Sequence, residues 1–484
     1  MTEAPRHADP GPARGVFCNR TLNMRSIRAV GCDMDYTLIH YDVQAWERRA
    51  YEHVQARLVG LGAPIGGERF DPELFTRGLI LDVELGNVVK ANRFGYVTRA
   101  AHGTALLSHE AQRKTYAQVW VDLSEPRWVF LNTLFSLSEV CLYAQLVDRM
   151  DREPGAVDAS LGYAGLYRMV RDTMNAAHLE GELKAEVAAD PERFVTLDPE
   201  LPAALLDLKH AGKQLLLVTN SEWSYTRAMM SYGFDRFLPA GMGWRELFDV
   251  VIVQAGKPSF FEDRAPLYEI VDDSGLLRPC AGRLRSGQAY LGGHARLVEQ
   301  DLGLAGEEIL YVGDHVYADI HVSSQIRRWR TALVLRELEQ EVAAEHAFAP
   351  KQAELEGLME RKQRLEREQA QLRASLQRKQ LGYAAPLVAD LRGAQERLRD
   401  LRAELDALDP RITALAKEAG QLGNARWGAL MHAGNDKSRL ARQIERYADV
   451  YTSRVSNFMY VTPFGYLRAP RGTLPHDSVA GSQS

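Results

Sequence analysis

The chain has 484 residues, 46% of them hydrophobic and 25% charged, which is ordinary globular composition and too long for one comfortable core. A formal charge of −5 and a pI of about 6.3 exclude a whole-protein attraction to nucleic acid, so a small anion needs a local positive site. Four dispersed cysteines (Cys18, Cys32, Cys141, Cys280) exclude a disulfide framework or a zinc site, and no run approaches the roughly 18 apolar residues of a membrane span. The opening stretch MTEAPRHADPGPARG is polar and carries no apolar signal core. A cytoplasmic protein is expected, with disordered ends at 1–19 and 479–484.

The first short apolar run ends in GCDMDYTLIH (31–40). From 43 to 205 come helical patterns such as AWERRAYEHVQARLVGLG and SLSEVCLYAQLVDRM. A right-handed crossover needs only about a dozen residues, so this length predicts an inserted, mainly helical cap domain. Four more apolar runs follow: KQLLLVTNSE (213–222), FDVVIVQAGK (248–257), EEILYVGDH (307–315) and WRTALVL (329–335). Helical patterns separate them. Unbroken apolar runs alternating with helices predict an α/β fold, a doubly wound parallel sheet built from 20–42 and 206–335. In 336–425 leucines recur three and four apart on either side of GYAAP (382–386), which predicts an antiparallel helical hairpin. Its interleaved acids and bases suit a solvated strut or self-association arm. Residues 426–478 are expected to return to the core.

Four of the five predicted strands end in chemically pointed residues: Asp33 and Asp35, then Thr219, Asn220 and Ser221, then Lys257, then Asp314 and Asp319. Thr-Asn-Ser alone reads as a helix N-cap. Lys257 alone reads as a surface lysine. Together, at the carboxyl edge of a parallel sheet where ligands bind, they make a phosphoryl-transfer site. Clustered carboxylates repel a phosphate dianion unless a cation sits among them. Oxygen donors without His or Cys suit Mg²⁺, held by Asp33, Asp314 and the carbonyl of Asp35, with Asp319 in support. Asp33 then serves as nucleophile and Asp35 as acid/base. Thr219, Ser221 and Lys257 hold the phosphoryl oxygens.

These motifs resemble the haloacid dehalogenase superfamily, and more closely its cytosolic, IMP–GMP-preferring purine 5′-nucleotidases. LDVELGNVVKANRFGYVTRAAHG (81–103), FLNTLFSLSEVCLYAQLVD (130–148), TNSEWSYT (219–226), GDHVYADI (313–320) and QIERYADVYTSRVSNFMY (443–460) carry that likeness. The resemblance implies a Mg²⁺-dependent hydrolase of purine nucleoside 5′-monophosphates that can also pass the phosphoryl group to a nucleoside. It implies Asn220 as a further phosphate binder, and a dimer or tetramer without nucleic-acid or membrane partners. It also implies that Phe135 stacks on the base and that Arg171, Asn175, His178 and Lys184 line the nucleoside pocket; from pattern alone Phe135 reads as core. Asn175 and Leu179 replace the family's acid and aromatic, which relaxes the expected choice between oxopurines and adenine. Asn132 and Tyr317 fall near an effector site of animal members. A phosphatase for another small phosphoester and a non-catalytic nucleotide-sensing scaffold are the alternative readings.

Overall fold

A computed structural model of the chain describes residues 11–153, 159–262, 265–280, 283–388 and 391–472. The five predicted runs form strands Ala29–Cys32, Gln214–Val218, Val250–Val253, Ile309–Gly313 and Arg330–Val334. They lie in a ten-stranded sheet whose order, by residue number, is 16–18, 450–452, 330–334, 309–313, 29–32, 214–218, 250–253, 288–292, 267–270 and 277–279. From 450–452 across to 288–292 every neighbouring pair is parallel. Antiparallel strands finish both edges. The central strands are buried almost throughout, which is why they read as continuous apolar runs.

Strands at 16–18, 267–270, 277–279, 288–292 and 450–452 add to the predicted core. Runs such as LYEI and QAYLG mix polar with apolar residues, so period and length give no clear strand signal. The strand at 16–18 also corrects the expectation of disorder over 1–19, because Val16–Cys18 pairs with Val450–Thr452. Residues 1–10 and 479–484 lie outside the described residues.

From the central strand 29–32 the chain steps outward on one side through 214–218, 250–253 and 288–292, then returns to 309–313 on the other. Strand order therefore reverses at the pair 29–32 and 309–313. Asp33 and Asp314 follow these two strands directly, at the switch point where open α/β sheets bind ligands.

Helices outweigh strands in the segment 43–205, but it also holds a sheet that the sequence pattern did not show. Helices Val43–Gly60, Leu137–Arg152, Gly162–Glu180 and Glu182–Ala189 accompany an antiparallel five-stranded sheet ordered 105–106, 97–102, 87–91, 80–82 and 128–130. The sheet was hidden because its strand Asn87–Ala91 is buried at every position and does not alternate. Nor does the segment separate from the parallel sheet: residues 1–339 and 430–484 form one compact unit. Trp46, Leu134, Leu137 and Leu183 share a hydrophobic cluster with Leu215, Leu217, Val251 and Val312, so a single core spans both parts.

Residues 340–429 form a second unit. Within it the long helix Leu338–Leu381 and the helix Ala394–Ala419 meet through Leu365, Leu372, Leu401, Leu408 and Ile412, along the predicted leucine spacing.

Candidate functional site

The loop after Ala29–Cys32 folds tightly back, with the Leu38 and Ile39 N–H groups both donating to the Met34 carbonyl at 2.9 Å. Tyr36 takes the left-handed conformation at φ 55°, which is unfavourable for a bulky residue and is held by packing. Its ring meets Tyr41 edge-on at 5.3 Å and Phe135 at 4.6 Å. This turn sends the carboxylates of Asp33 and Asp35 to different neighbours.

Asp33 accepts from the Lys257 ammonium at 2.8 Å. The same Nζ donates to Asp319 at 2.8 Å and to the Tyr311 hydroxyl at 3.1 Å. Asp319 lies on the helical turn Val316–His321, and its other oxygen accepts from the His315 N–H at 3.1 Å. Asp33, Asp314 and Asp319 each place one oxygen within 4.8 Å of the others. Burial pushes Asp33 up to about 7; Lys257 opposes that rise, while Asp319 and Asp35 add to it. Burial, with Asp319 and Asp33 alongside, also holds Asp314 well above the usual carboxylate range. For Lys257 burial disfavours the charge, but Asp319 and Asp33 outweigh it and keep the ammonium firmly protonated.

Three buried carboxyl groups share one ammonium, and ionised together they would leave an excess of negative charge that a cation would neutralise. One Asp314 oxygen is buried with no hydrogen-bond partner, in a setting where such atoms are costly. Oxygen-only donors around an unpaired carboxylate fit a hard divalent ion. The structure groups Asp319 with Asp33 and Asp314, whereas the Asp35 side chain turns elsewhere.

Both Asp35 oxygens accept from hydroxyls, Tyr41 at 2.6 Å and Ser221 Oγ at 2.6 Å. Ser221 in turn accepts from Lys184 Nζ at 3.0 Å. Thr219 is buried, and its hydroxyl accepts from the Ser221 N–H at 3.1 Å. The Asn220 amide clamps the Lys257 backbone, donating to the carbonyl at 3.0 Å and accepting from the N–H at 2.7 Å. It thereby braces the loop that carries the lysine.

Of the predicted nucleoside-pocket residues, Lys184 reaches this cluster through Ser221. Phe135 packs against Tyr36 and also Trp46, at 5.5 Å, beside the loop of Asp33 and Asp35. Arg171 pairs with the adjacent Asp172 at 3.4 Å, and Asn175 is exposed on the same helix. Among the described residues, neither makes a hydrogen bond to the carboxylate cluster. The side chains of His178 and Leu179 lie outside the described residues. Tyr317 is half-exposed against His321, with ring centroids 5.3 Å apart.

The family model for the 5′ nucleotidase family matches residues 16–479. The chain belongs to the 5′ nucleotidase family. A 5′-nucleotidase domain-containing protein of Dictyostelium discoideum is 26% identical over 479 residues, covering 96% of this chain and 74% of that one. A solved archaeal beta-phosphoglucomutase from Pyrococcus sp. strain ST 04 is 11% identical, covering 64% of this chain and 86% of its own. Its TM-score of 0.26 is too low to carry an argument. Family membership supports hydrolysis of nucleoside monophosphates in general terms, and hence a phosphohydrolase.

In this family member the sequence reading missed Tyr41, Tyr225, Tyr311 and Arg77. The Arg77 guanidinium is buried, donating to the Asp314 carbonyl at 3.3 Å and to Glu337 at 2.6 Å. A buried arginine has no marker in a single sequence. Tyr41 closes the run YTLIHY, and nothing in its spacing ties it to Asp35.

Among the described residues, no helix is long and apolar enough to cross a membrane.

Proposed function

We propose that the chain is a Mg²⁺-dependent 5′-nucleotidase of haloacid dehalogenase type, hydrolysing purine nucleoside 5′-monophosphates, IMP and GMP foremost, through an aspartyl-phosphate. The observation that carries this reading is the sharing of Lys257 by Asp33 and Asp319 at 2.8 Å each, next to the unpaired oxygen of Asp314. A nucleophile, a cation to hold phosphoryl oxygens and an acidic seat for a metal meet at one sheet edge.

Asp33, Asp314 and the Asp35 carbonyl would hold Mg²⁺, with Asp319 behind them. When bound, the ion supplies charge neutralisation of the phosphate and its acidic surroundings. A carboxylate oxygen of Asp33 forms a bond to phosphorus while the bond from phosphorus to the ribose 5′-oxygen breaks. That oxygen leaves with the proton of Asp35. A water molecule then bonds to phosphorus, giving its proton back to Asp35, and the aspartyl–phosphorus bond breaks to free inorganic phosphate and Asp33. A nucleoside hydroxyl in place of water gives phosphotransfer. Lys257, Thr219 and Ser221 hold the phosphoryl oxygens through both steps. Phe135 supplies an aromatic face for the base, and Arg171, Asn175, His178 and Lys184 complete the nucleoside side. The family resemblance supports a cytoplasmic homo-oligomer.

The test offers IMP, GMP, AMP, pyrimidine monophosphates and a sugar phosphate to the native protein and to Asp33→Asn, with and without added nucleosides. Phosphate release from purine nucleotides by the native protein, and none from Asp33→Asn with its near-UV circular dichroism retained, is the expected result. Release from the sugar phosphate alone refutes the substrate assignment. Undiminished turnover by Asp33→Asn refutes the nucleophile.

A further inference from the structure

Asp35 holds both of its oxygens in short hydroxyl contacts, and the two hydroxyls have different origins. Ser221 Oγ belongs to the loop proposed above to hold the phosphate. Tyr41 does not: it sits on the short strand His40–Tyr41, paired with Val195–Thr196. Its side chain is wholly buried, with its ring 4.5 Å from Trp46 and 5.3 Å from Tyr36. The Tyr225 hydroxyl, from helix Trp223–Phe234, donates to the Tyr41 oxygen at 3.0 Å. Tyr225 is itself buried, with Lys184 Nζ 5.0 Å from its ring centroid.

Two consequences follow. Because Tyr41 already accepts the Tyr225 proton, its own proton is committed to Asp35. Because both rings are packed on all sides, the phenol cannot follow a rotating carboxylate, so it fixes the carboxylate's plane.

We propose that Tyr41, seated on Tyr225, is a positioning residue that sets the orientation of the Asp35 carboxylate for proton delivery to the leaving oxygen. The proposal rests on the aspartyl-phosphate reading above and adds a residue to it. A hydrogen bond to a charged group that also fixes direction is among the stronger single contacts, and acid catalysis needs its donor aligned within a few tenths of an ångström.

The leaving group supplies the test. A ribose 5′-oxygen is a poor leaving group and needs the Asp35 proton as its bond to phosphorus breaks. The 4-nitrophenolate of 4-nitrophenyl phosphate departs without one. The parameter to compare is kcat/KM, which reports events up to the first irreversible step, here transfer to Asp33 with loss of the leaving group. In Tyr41→Phe, kcat/KM for the best nucleotide should fall about 10- to 100-fold, while that for 4-nitrophenyl phosphate falls less than about threefold. Tyr225→Phe, which leaves the Tyr41 contact in place, should show a smaller fall with the same selectivity. A structural defect lowers both substrates together, and equal falls in either variant overturn the proposal. Should Tyr41→Phe fail to fold, Tyr225→Phe decides by the same criterion. If the native protein cleaves no nucleotide, the substrate reading fails by itself. The contrast is then measured with whichever alkyl phosphate the protein does cleave, and the same two outcomes decide the role of Tyr41.

Discussion

Glu47 lies on the helix that follows the Asp33 loop, wholly buried, and one of its oxygens accepts from the Ser138 N–H at 2.8 Å. That contact holds the segment carrying Phe135. The other oxygen has no partner, and burial pushes the carboxyl from its ordinary 4.5 up to about 7, with the Ser138 contact opposing. A raised carboxyl favours folding while it is protonated, so its contribution is full below pH 4.5 and is lost as the pH rises through 7. The interval between those values corresponds to about 3 kcal/mol at 1.36 kcal/mol per pH unit. Glu47→Gln keeps an acceptor for Ser138 and removes the titration. In urea unfolding it should therefore be more stable than the native protein by about 3 kcal/mol at pH 8, and by less than about 1 kcal/mol at pH 5. Nucleotide turnover should be retained, because the Phe135 segment stays in place. A stability difference that is the same at both pH values refutes the assignment of a buried, titrating Glu47.

The metal seat and the base pocket yield further expectations. Calorimetric titration of the native protein should detect one Mg²⁺ per chain, and Asp314→Asn should weaken it about 100-fold or more, because it removes a buried ligand with no other partner. Unchanged Mg²⁺ affinity would refute the acidic seat. Asn175→Asp replaces a neutral acceptor worth about 1 kcal/mol with a charged one worth about 1.5–3 kcal/mol, so kcat/KM for IMP and GMP relative to AMP should rise about 2- to 30-fold. A ratio that does not move would show that Asn175 does not touch the base.

Much of the architecture was written in local pattern. The runs at 29–32, 214–218, 250–253, 309–313 and 330–334 could be read as parallel strands because a strand covered on both faces must be apolar at every position. The ends of those runs then put Asp33, Thr219, Lys257 and Asp314 on one sheet edge, since every parallel strand exposes its carboxyl end on the same side. The hairpin leucines were legible for a related reason: a helix that buries one stripe must repeat it every three or four residues.

Contacts between distant segments obey no such local rule, and folding alone determined them. The buried strand at 87–91 has no alternation to reveal it, and the segment 43–205 shares its core with the parallel sheet instead of standing apart. The destination of each polar side chain was equally hidden. Asn220 braces the Lys257 backbone, Lys184 reaches Ser221, and Asp35 turns from the other carboxylates toward Tyr41. A residue's type and spacing state which bonds it can make. Which bonds form depends on partners brought within 3 Å from anywhere in the chain: Lys184 and Ser221 are separated by 37 positions, Asp35 and Ser221 by 186.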